Sequence, residues 1–537
     1  LPMSDSKILV IGWDGATFDV ILPLVAAGRM PTMARLLAEG MHAPLNSTTP
    51  AVTPVAWSSF MTGVHPGSHG IFDAFRYDPA TRTLRMVHAG MRTAPTLFKI
   101  LDDRGRPSGA LNIPMTWPPD PLTHGFIFTG MFTAGAAQDR VHPPELAAEV
   151  KDLTGSLVLE PAQHADPAVY LQHILQNILA QEALTRRMMQ TRPWDLLTSV
   201  FIDSDRVQHY FWKYRNPAHP DHATLGDAIA QVYAALDAAL GRLLEAAPAG
   251  TRLCMVSDHG AGPLHTTIFL NKWLMDQGYL VLKQDLAAAL AAGRHAEGPS
   301  PLKELVKRLL PEAVAARIRK VIARGEQARR DRFLELVDWE RTTALSEGVS
   351  GGIYLNTAIM DEARHQEVER TLMADLPDIV DPKTGDRVIT AVHRRADLCR
   401  GAAAAHAPDL LVECARGYQI IVPNELLRFN ERFDGNLFLA HQWSGRHEQF
   451  GILVLHGPGV RHTSLPQADM PDVAPTLLHL LGEAVPAHME GRVLQEVLEG
   501  GPAAVMHTAD APAAQGRQLS AEEEAAIAKQ LQDLGYL

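Results

Sequence analysis

The chain has 537 residues, of which 46% are hydrophobic and 20% charged, a composition close to that of ordinary globular proteins that excludes a disordered or collagen-like chain. Its net charge is −12 and it has no long basic run, so we expect no nucleic-acid polymer as a partner. No apolar stretch reaches the ~18 residues that span a bilayer, so we expect no integral membrane segment.

Strand and helix patterns alternate from the N-terminus onward. The apolar run at 8–11 is typical of a strand buried on both faces, and helical patterns follow it at 18–25 and 31–40. The alternation predicts an α/β fold, with a doubly wound, mostly parallel central sheet and helices on both faces. Further predicted helices lie at 53–61, 95–105, 168–191 and 228–240, and further predicted strands at 108–113, 196–202, 252–256 and 450–455.

The middle of the chain has a different character. Residues 280–340 are rich in Lys, Arg, Ala and Leu with helical spacing, and strand patterns follow to about 425, so we interpret this stretch as a helical and mixed cap. The predicted organisation is a core in two parts, 7–280 and 426–500, a cap insertion at 281–425, and a linker with a C-terminal helix at 501–537.

Cysteine content and the first residues bear on the compartment. The three cysteines, Cys254, Cys399 and Cys414, are an odd number spread over a long sequence, which is not the pattern of a disulfide framework. Residues 4–7 are polar and lead directly into an apolar strand, without the regions of a secretory signal peptide. We therefore predict a cytoplasmic protein with buried free thiols.

Three of the predicted strands run into carboxylates, namely Asp14, Asp205 and Asp258. Because ligands of open α/β sheets bind beyond the carboxyl ends of the strands, these side chains are expected to share one site. His209 lies four residues after Asp205, on the same face of one helical turn, and His259 directly follows Asp258. Asp and His suit zinc or, less selectively, manganese. Each pair alone is a weak signal, and their order along the chain is a stronger one.

Thr53 and Pro54 stand at the start of a predicted helix, which is typical of an N-cap followed by proline at the first helical position. A helix N-terminus also suits an anion such as phosphate. An isolated Thr-Pro is usually a plain cap, so a catalytic hypothesis for Thr53 depends on the Asp and His residues above.

In this order the motifs resemble those of the alkaline phosphatase superfamily, and within it the type I phosphodiesterase/nucleotide pyrophosphatase family. The resemblance covers about 7–280 and 425–500 and is faint over the cap. The segments that carry it are ILVIGWDG (8–15), TPVAWSSFMTGVHPGSHG (53–70), DRVQH (205–209), SDHG (257–260), GRH (445–447), DVAPTLL (472–478) and MEG (489–491).

The resemblance implies two divalent metal ions, Zn²⁺ in preference to Mn²⁺. Thr53 would be the nucleophile, activated by metal coordination, and would form a covalent phospho-threonine intermediate. His447 precedes its strand whereas the other ligands follow theirs, so either the strand at 450–455 runs antiparallel or its leading loop folds over the sheet end. The implied ligands are Asp205, His209 and His447 for one ion, and Asp14, Thr53, Asp258 and His259 for the other.

Substrate contacts are less well marked. Nucleotide pyrophosphatases carry an asparagine three residues after the nucleophile, and Ala56 stands there in this chain, so a different donor is needed, such as a backbone N–H at the helix start. His265 and Lys272 are further candidates for substrate binding, although a solvated charge is the more ordinary role for Lys272. His65 and His69 are expected to hold a turn.

The leading functional prediction is a metal-dependent hydrolase that cleaves phosphodiester or nucleotide pyrophosphate bonds in a small phosphorylated substrate. The alternative keeps the site and changes the substrate: a phosphomonoesterase, phosphonate hydrolase or phosphotransferase, which the alanine at position 56 favours. A third hypothesis, a non-catalytic metal-binding protein, is disfavoured because every ligand position holds a competent residue. The sequence favours no particular oligomeric state.

Overall fold

The computed structural model describes residues 6–133, 137–156, 159–161, 163–283, 333–420, 437–439, 443–499 and 504–509, together with the single positions 520, 523, 526 and 527. The basic, helical part of the cap expected between 284 and 332 lies outside the described residues. So do most of the linker and the C-terminal helix expected at 501–537.

The described strands and helices alternate along the first half of the chain. The strands are β1 (Ile8–Trp13), β2 (Met41–Asn46), β3 (Phe75–Asp78), β4 (Thr83–Met86), β5 (Ser108–Ile113), β6 (Gly125–Thr129), β7 (Val141–His142), β8 (Leu196–Phe201), β9 (Arg252–Val256), β10 (Gly260–Ile268), β11 (Ala344–Glu347), β12 (Gly352–Leu355), β13 (Ile389–Arg394), β14 (Leu410–Cys414), β15 (Gly417–Ile420), β16 (Phe438–Leu439), β17 (Gly445–Glu448), β18 (Phe450–His456), β19 (Thr463–Ser464), β20 (Ala468–Asp469), β21 (Val485–Pro486) and β22 (His507–Thr508). The helices are α1 (Phe18–Ala26), α2 (Pro31–Glu39), α3 (Thr53–Thr62), α4 (Pro66–His69), α5 (Leu97–Asp103), α6 (Leu146–Thr154), α7 (Pro167–Thr191), α8 (Asp203–Phe211), α9 (His222–Leu225), α10 (Ala228–Ala246), α11 (Leu270–Asp276), α12 (Glu362–Asp375), α13 (Arg395–Leu398) and α14 (Val473–Leu480).

A ten-stranded sheet forms the centre of the molecule, in the order β19-β2-β18-β9-β1-β8-β5-β6-β7, with β20 also beside β2. The adjacent strands β9, β1, β8, β5 and β6 are parallel. β18 is antiparallel to both of its neighbours, which decides the orientation that the sequence left open. The predicted doubly wound, mostly parallel sheet is confirmed.

Helices cover both faces of this sheet. Ile8 and Val10 of β1 belong to a core shared with α3 and α5, whereas Leu9 and Ile11 belong to a second core shared with α2, α7 and α10. This division follows from the strand geometry, since successive side chains point to opposite faces. Both faces need apolar residues, which explains the continuous apolar runs of β1 and β8.

Smaller sheets join the cap to the core. β11, β12, β14 and β13 form an antiparallel sheet, and α12 packs its Val368 and Leu372 into the core that contains α3. β10 pairs with β15, β16 and β17, so segments from both predicted core parts and from the predicted cap share one sheet. The division of the chain into domains stays a prediction.

Two further features concern thiols and membranes. Cys254 and Cys399 are buried, Cys414 is partly buried, and all three are free. Among the described residues no single helix has the length and apolar composition needed to cross a bilayer, and α1 with α2, bent by 103° relative to each other, satisfy that test only as a pair.

Candidate active site

The carboxylates expected at the strand ends lie together. Asp14 follows β1, Asp258 follows β9, and Asp205 lies in the first turn of α8, directly after β8. Because β9, β1 and β8 are adjacent and parallel, their carboxyl ends open at the same edge of the sheet. All three side chains are buried.

Gly15 connects the three segments that carry these carboxylates. Its φ of +67° lies in the left-handed region that glycine adopts without strain. Its N–H donates to Asp258 Oδ1 at 3.1 Å, and its carbonyl accepts from Gln208 Nε2 at 2.8 Å. A Cβ at this position would lie 3.2 Å from the Cβ of Asp205, so the close approach also favours glycine.

Asp205, His209 and His447 form one part of the cluster, hereafter the Asp205 half. Asp205 Oδ1 lies 3.0 Å from His209 Nε2 and 3.4 Å from His447 Nε2, and the two Nε2 atoms are 3.0 Å apart. Asp205 and His209 share one face of α8, as their spacing predicted. His447 arrives because β17 pairs antiparallel with β10, opposite Ala261 and two residues from His259.

Asp14, Asp258 and His259 form the second part, hereafter the Asp14 half. His259 Nε2 lies 3.3 Å from Asp258 Oδ2 and 3.7 Å from Asp14 Oδ1. The His259 and His447 rings stack with centroids 3.6 Å apart, so the two halves adjoin. Thr53 Oγ1 lies 3.3 Å from His259 Nε2, which places the predicted nucleophile at this meeting point.

The histidines are oriented as metal ligands. A hydrogen bond from Nδ1–H to a backbone carbonyl leaves Nε2 as a free acceptor, which is the arrangement that metal sites use. The three Nδ1 atoms lie against Gly445 O (2.9 Å, from His209), Gly260 O (2.9 Å, from His259) and Ala51 O (3.2 Å, from His447).

The carboxylates of the Asp14 half also fit a cation. Asp14 Oδ1 and Asp258 Oδ2 are buried and have no hydrogen-bond partner among the described residues, a costly state for a carboxylate oxygen without a positive partner. Burial, aided by the charge of Asp205, raises the pKa of Asp14 to about 8, and burial beside Asp14 raises that of Asp258 well above its usual value. Two ligand groups, Asp14–Asp258–His259 and Asp205–His259–His447, each have their ligand atoms within 4.8 Å of one another.

Asp205 differs from the other two carboxylates. Burial by itself raises its pKa, but the charges and hydrogen bonds of His209, His447 and Arg206 outweigh burial, and the net pKa lies well below the usual value. Asp205 is therefore the carboxylate that the protein itself compensates.

Thr53 is not the N-cap that the Thr-Pro pattern predicts. Val52, in an extended conformation, is the N-cap residue, and Thr53 is the first residue of α3. The reason is that the Val52 carbonyl accepts the N–H groups of Val55 and Ala56, at 3.1 and 3.0 Å. The Thr53 hydroxyl is thus not used for capping. Pro54 has no N–H, so three of the first four positions of α3 have no backbone donor left for an anion.

The three predicted substrate contacts are not brought together. Ala56 is fully buried in the hydrophobic core, the exposed His265 lies against Gly417, and Lys272 pairs with Asp276 one turn along α11. A cavity of about 180 Å³ adjoins the site, between the loop before Thr53, β17 and cap residues of β14 and β15, and its lining includes none of the three.

Sequence reasoning missed the side chains behind the ligands. Trp57 Nε1 donates to Asp14 Oδ2 at 2.9 Å, and Arg206 Nη1 donates to Asp205 Oδ2 at 3.0 Å. The Trp443 ring lies over His209, with centroids 4.0 Å apart. Both residues stand inside the motifs that carry the resemblance. Trp57 lies one helical turn after Thr53, and Arg206 directly follows Asp205. A hydrogen-bond donor at either position was the signal that could have indicated its role.

The H-P-G-S-H-G segment is structural, as expected for its histidines. Buried His69 accepts the Ile71 N–H at Nδ1 (3.1 Å), so its Nε2 carries a proton and donates to Ser59 Oγ at 2.9 Å. Glu490 of the M-E-G segment accepts from His65 N–H and Ser68 Oγ, both at 2.6 Å. These contacts close the C-terminal end of α3.

The central sheet and the Asp/His cluster at its edge define a phosphoric ester hydrolase of the alkaline phosphatase superfamily. A family model for type I phosphodiesterase/nucleotide pyrophosphatase matches residues 8–435, and the chain belongs to this family. A comparison with curated protein sequences finds no match.

Solved structures with the same fold include human and murine ectonucleotide pyrophosphatase/phosphodiesterase 5. The alignment with each covers 92% of this chain and 100% of the other, at 14% identity, with TM-scores of 0.52 for the human and 0.51 for the murine protein. An inactive threonine-to-alanine variant of the murine protein, in complex with AMP, gives a TM-score of 0.52 at the same identity and coverage. At this identity the likeness concerns the fold.

Proposed function

We propose that this hydrolase is a metal-dependent phosphodiesterase in which Thr53 forms a covalent phospho-threonine intermediate. The observation that carries the proposal is the position of Thr53: a buried hydroxyl, free of the capping role, 3.3 Å from a histidine shared by two groups of ligand atoms. The AMP complex of the murine structural neighbour supports a small nucleotide-type substrate. The three free cysteines support the cytoplasm as the compartment.

The ligand set suits two divalent cations, and we propose Zn²⁺, with Mn²⁺ as the alternative, because mixed imidazole and carboxylate ligands suit both. When bound, such a pair lowers the pKa of a coordinated hydroxyl and stabilises the attacking and leaving oxygens. The proposed ligands of one ion are Asp205, His209 and His447, and those of the other are Asp14, Asp258, His259 and the hydroxyl of Thr53.

The chain's own residues account for the rest of the reaction. The Thr53 hydroxyl releases its proton to solvent, and Oγ1 attacks phosphorus to form a new P–O bond. The P–O bond to the departing group breaks, and that group takes up a proton from solvent to leave as an alcohol. Water then hydrolyses the phospho-threonine ester and restores the hydroxyl. Because α3 begins at Thr53, the positive end of the helix dipole lies beside the phosphoryl group during both steps.

A second candidate, a phosphomonoesterase, phosphonate hydrolase or phosphotransferase, is favoured by one observation. The buried Ala56 offers no donor where nucleotide pyrophosphatases have asparagine, and the nearby N–H groups of Val55 and Ala56 are already engaged. Rates on bis(4-nitrophenyl) phosphate and 4-nitrophenyl phosphate separate the candidates. A faster diester reaction supports the first, and a large monoester preference supports the second.

Thr53→Ala tests the nucleophile. We expect turnover of a chromogenic diester to fall by at least about 1000-fold, because the substitution removes the attacking oxygen. Thr62→Ala, at the opposite end of the same helix and equally buried, is the matched control and should keep most of the activity. Wild-type turnover by Thr53→Ala would refute the assignment.

A further inference from the structure

Each of the three clustered carboxylates has one oxygen engaged by a donor from outside the cluster. The other oxygen of each points to a histidine Nε2. The outer donors are the Gly15 N–H for Asp258 Oδ1 (3.1 Å), Trp57 Nε1 for Asp14 Oδ2 (2.9 Å) and Arg206 Nη1 for Asp205 Oδ2 (3.0 Å). A substitution that removes the Gly15 N–H would change the main chain, and one that removes the Arg206 guanidinium would change the charge. The indole N–H of Trp57 can be removed without either effect.

Trp57 is held tightly in this position. The side chain is fully buried, and Phe60 packs edge-on against it with ring centroids 5.3 Å apart. The indole rests on β1 where Gly12 leaves room, since a Cβ on Gly12 would lie 2.6 Å from Trp57 Cη2. The glycine two residues before Asp14 is therefore what lets the indole N–H reach that carboxylate.

Trp57 also lies one helical turn after Thr53 on α3. The same helix thus presents the hydroxyl to His259 and the indole N–H to Asp14. Both contacts belong to the Asp14 half, so the position of α3 relative to β1 fixes the nucleophile and a metal-ligand carboxylate together.

We propose that Trp57 is a positioning residue that sets the cation affinity of the Asp14 half, by turning Asp14 so that only Oδ1 faces the ion. The inference rests on the proposed two-metal site. Outer hydrogen bonds of this kind usually contribute 10- to 100-fold in metal affinity. The indole makes no contact with substrate in this role and acts through Asp14.

Trp57→Phe removes the N–H and keeps an aromatic ring, and Trp13→Phe is the matched control because Trp13 is also buried and directly precedes Asp14. Zinc affinity is measured by competition with a chromophoric chelator, and the ligand field by the visible spectrum of the Co²⁺-substituted protein. We expect Trp57→Phe to lower the affinity for one of the two bound ions by about 10- to 100-fold and to change the visible absorption bands of Co²⁺ at that site. Diester turnover should recover as zinc is raised, which a packing defect would not show.

The outcomes separate the inference from the proposed function. A wild-type protein that binds no zinc, cobalt or manganese refutes the metal site itself. Normal wild-type binding with unchanged affinity and spectrum in Trp57→Phe overturns the inference, as does an equal loss in Trp13→Phe. If Trp57→Phe does not fold, Phe60→Leu is measured instead, because it keeps the indole N–H but loosens the packing around it. An unchanged zinc affinity in Phe60→Leu would likewise overturn the inference.

Discussion

The two halves of the active site are built from different structural elements. The Asp14 half uses the ends of two adjacent parallel strands, β1 and β9, so the sheet alone brings its ligands together. The Asp205 half combines one turn of α8 with β17, whose position depends on antiparallel pairing with β10. Both halves join segments more than 200 residues apart in the chain, but the first depends on the central sheet, whereas the second depends on strand pairing outside it.

The halves also differ in how their charge is compensated. The pKa of Asp205 is low because the charges and hydrogen bonds of His209 and His447, together with the fully buried Arg206 that pairs with it, outweigh burial. Asp14 and Asp258 receive neutral donors, keep one unpartnered oxygen each, and have raised pKa values because burial is not offset. The protein itself compensates the carboxylate of the Asp205 half, whereas the carboxylates of the Asp14 half have the uncompensated charge that a bound cation would offset.

The strongest test of this difference is metal removal. Dialysis against a chelator should abolish diester turnover, because both halves contribute to the proposed site. Adding zinc back should restore activity only as the second of two equivalents binds. Isothermal titration calorimetry measures the number of ions bound, and the rate of diester hydrolysis is measured at each zinc concentration. Full activity after a single equivalent would show that one metal ion is enough for catalysis, and the difference between the two halves would then have no consequence for activity.

Arg206→Met should have the next largest effect. It leaves the buried Asp205 carboxylate without its guanidinium, and breaking a buried pair in this way costs about 3–5 kcal/mol of unfolding free energy. Urea denaturation in the presence of chelator measures this loss, and zinc should reduce it. The control is Arg29→Met, which breaks the exposed pair with Asp227 and should cost no more than about 1 kcal/mol. Equal losses in the two variants would contradict the assigned compensation.

Local patterns predicted the sheet well, because strands buried on both faces are continuous apolar runs that end in turn residues. The direction of β18 relative to its neighbours was not predictable, since an apolar run carries no information about strand direction. β2 was also missed, because its buried residues alternate with partly exposed ones, and the partly exposed ones include His42 and Pro44.

The clustering of the Asp and His side chains could be predicted because their spacing and order are chemical signals: Asp and His one turn apart, or adjacent after a strand. The roles of Trp57 and Arg206 were missed: the motifs contain both residues, but their hydrogen bonds to Asp14 and Asp205 are seen in the structure alone. The Thr53 cap was predicted wrongly for a related reason, since backbone geometry at Val52 decides which residue ends the extended segment. Ala56, His265 and Lys272 lie near the motifs in sequence but apart from one another in the structure, and their roles in substrate binding stay predictions.

The smallest expected effect concerns a contact that belongs to neither half. Glu490 holds His65 and Ser68 at the far end of α3 from Thr53 and is exposed. Glu490→Gln should lower the unfolding free energy by about 1 kcal/mol, because it weakens two hydrogen bonds without leaving a buried charge. The zinc affinities of both halves should stay unchanged, and calorimetry on the variant checks this. A loss of zinc affinity confined to the Asp14 half would mean that the M-E-G segment controls the position of α3, and that this segment also supports the Asp14 half.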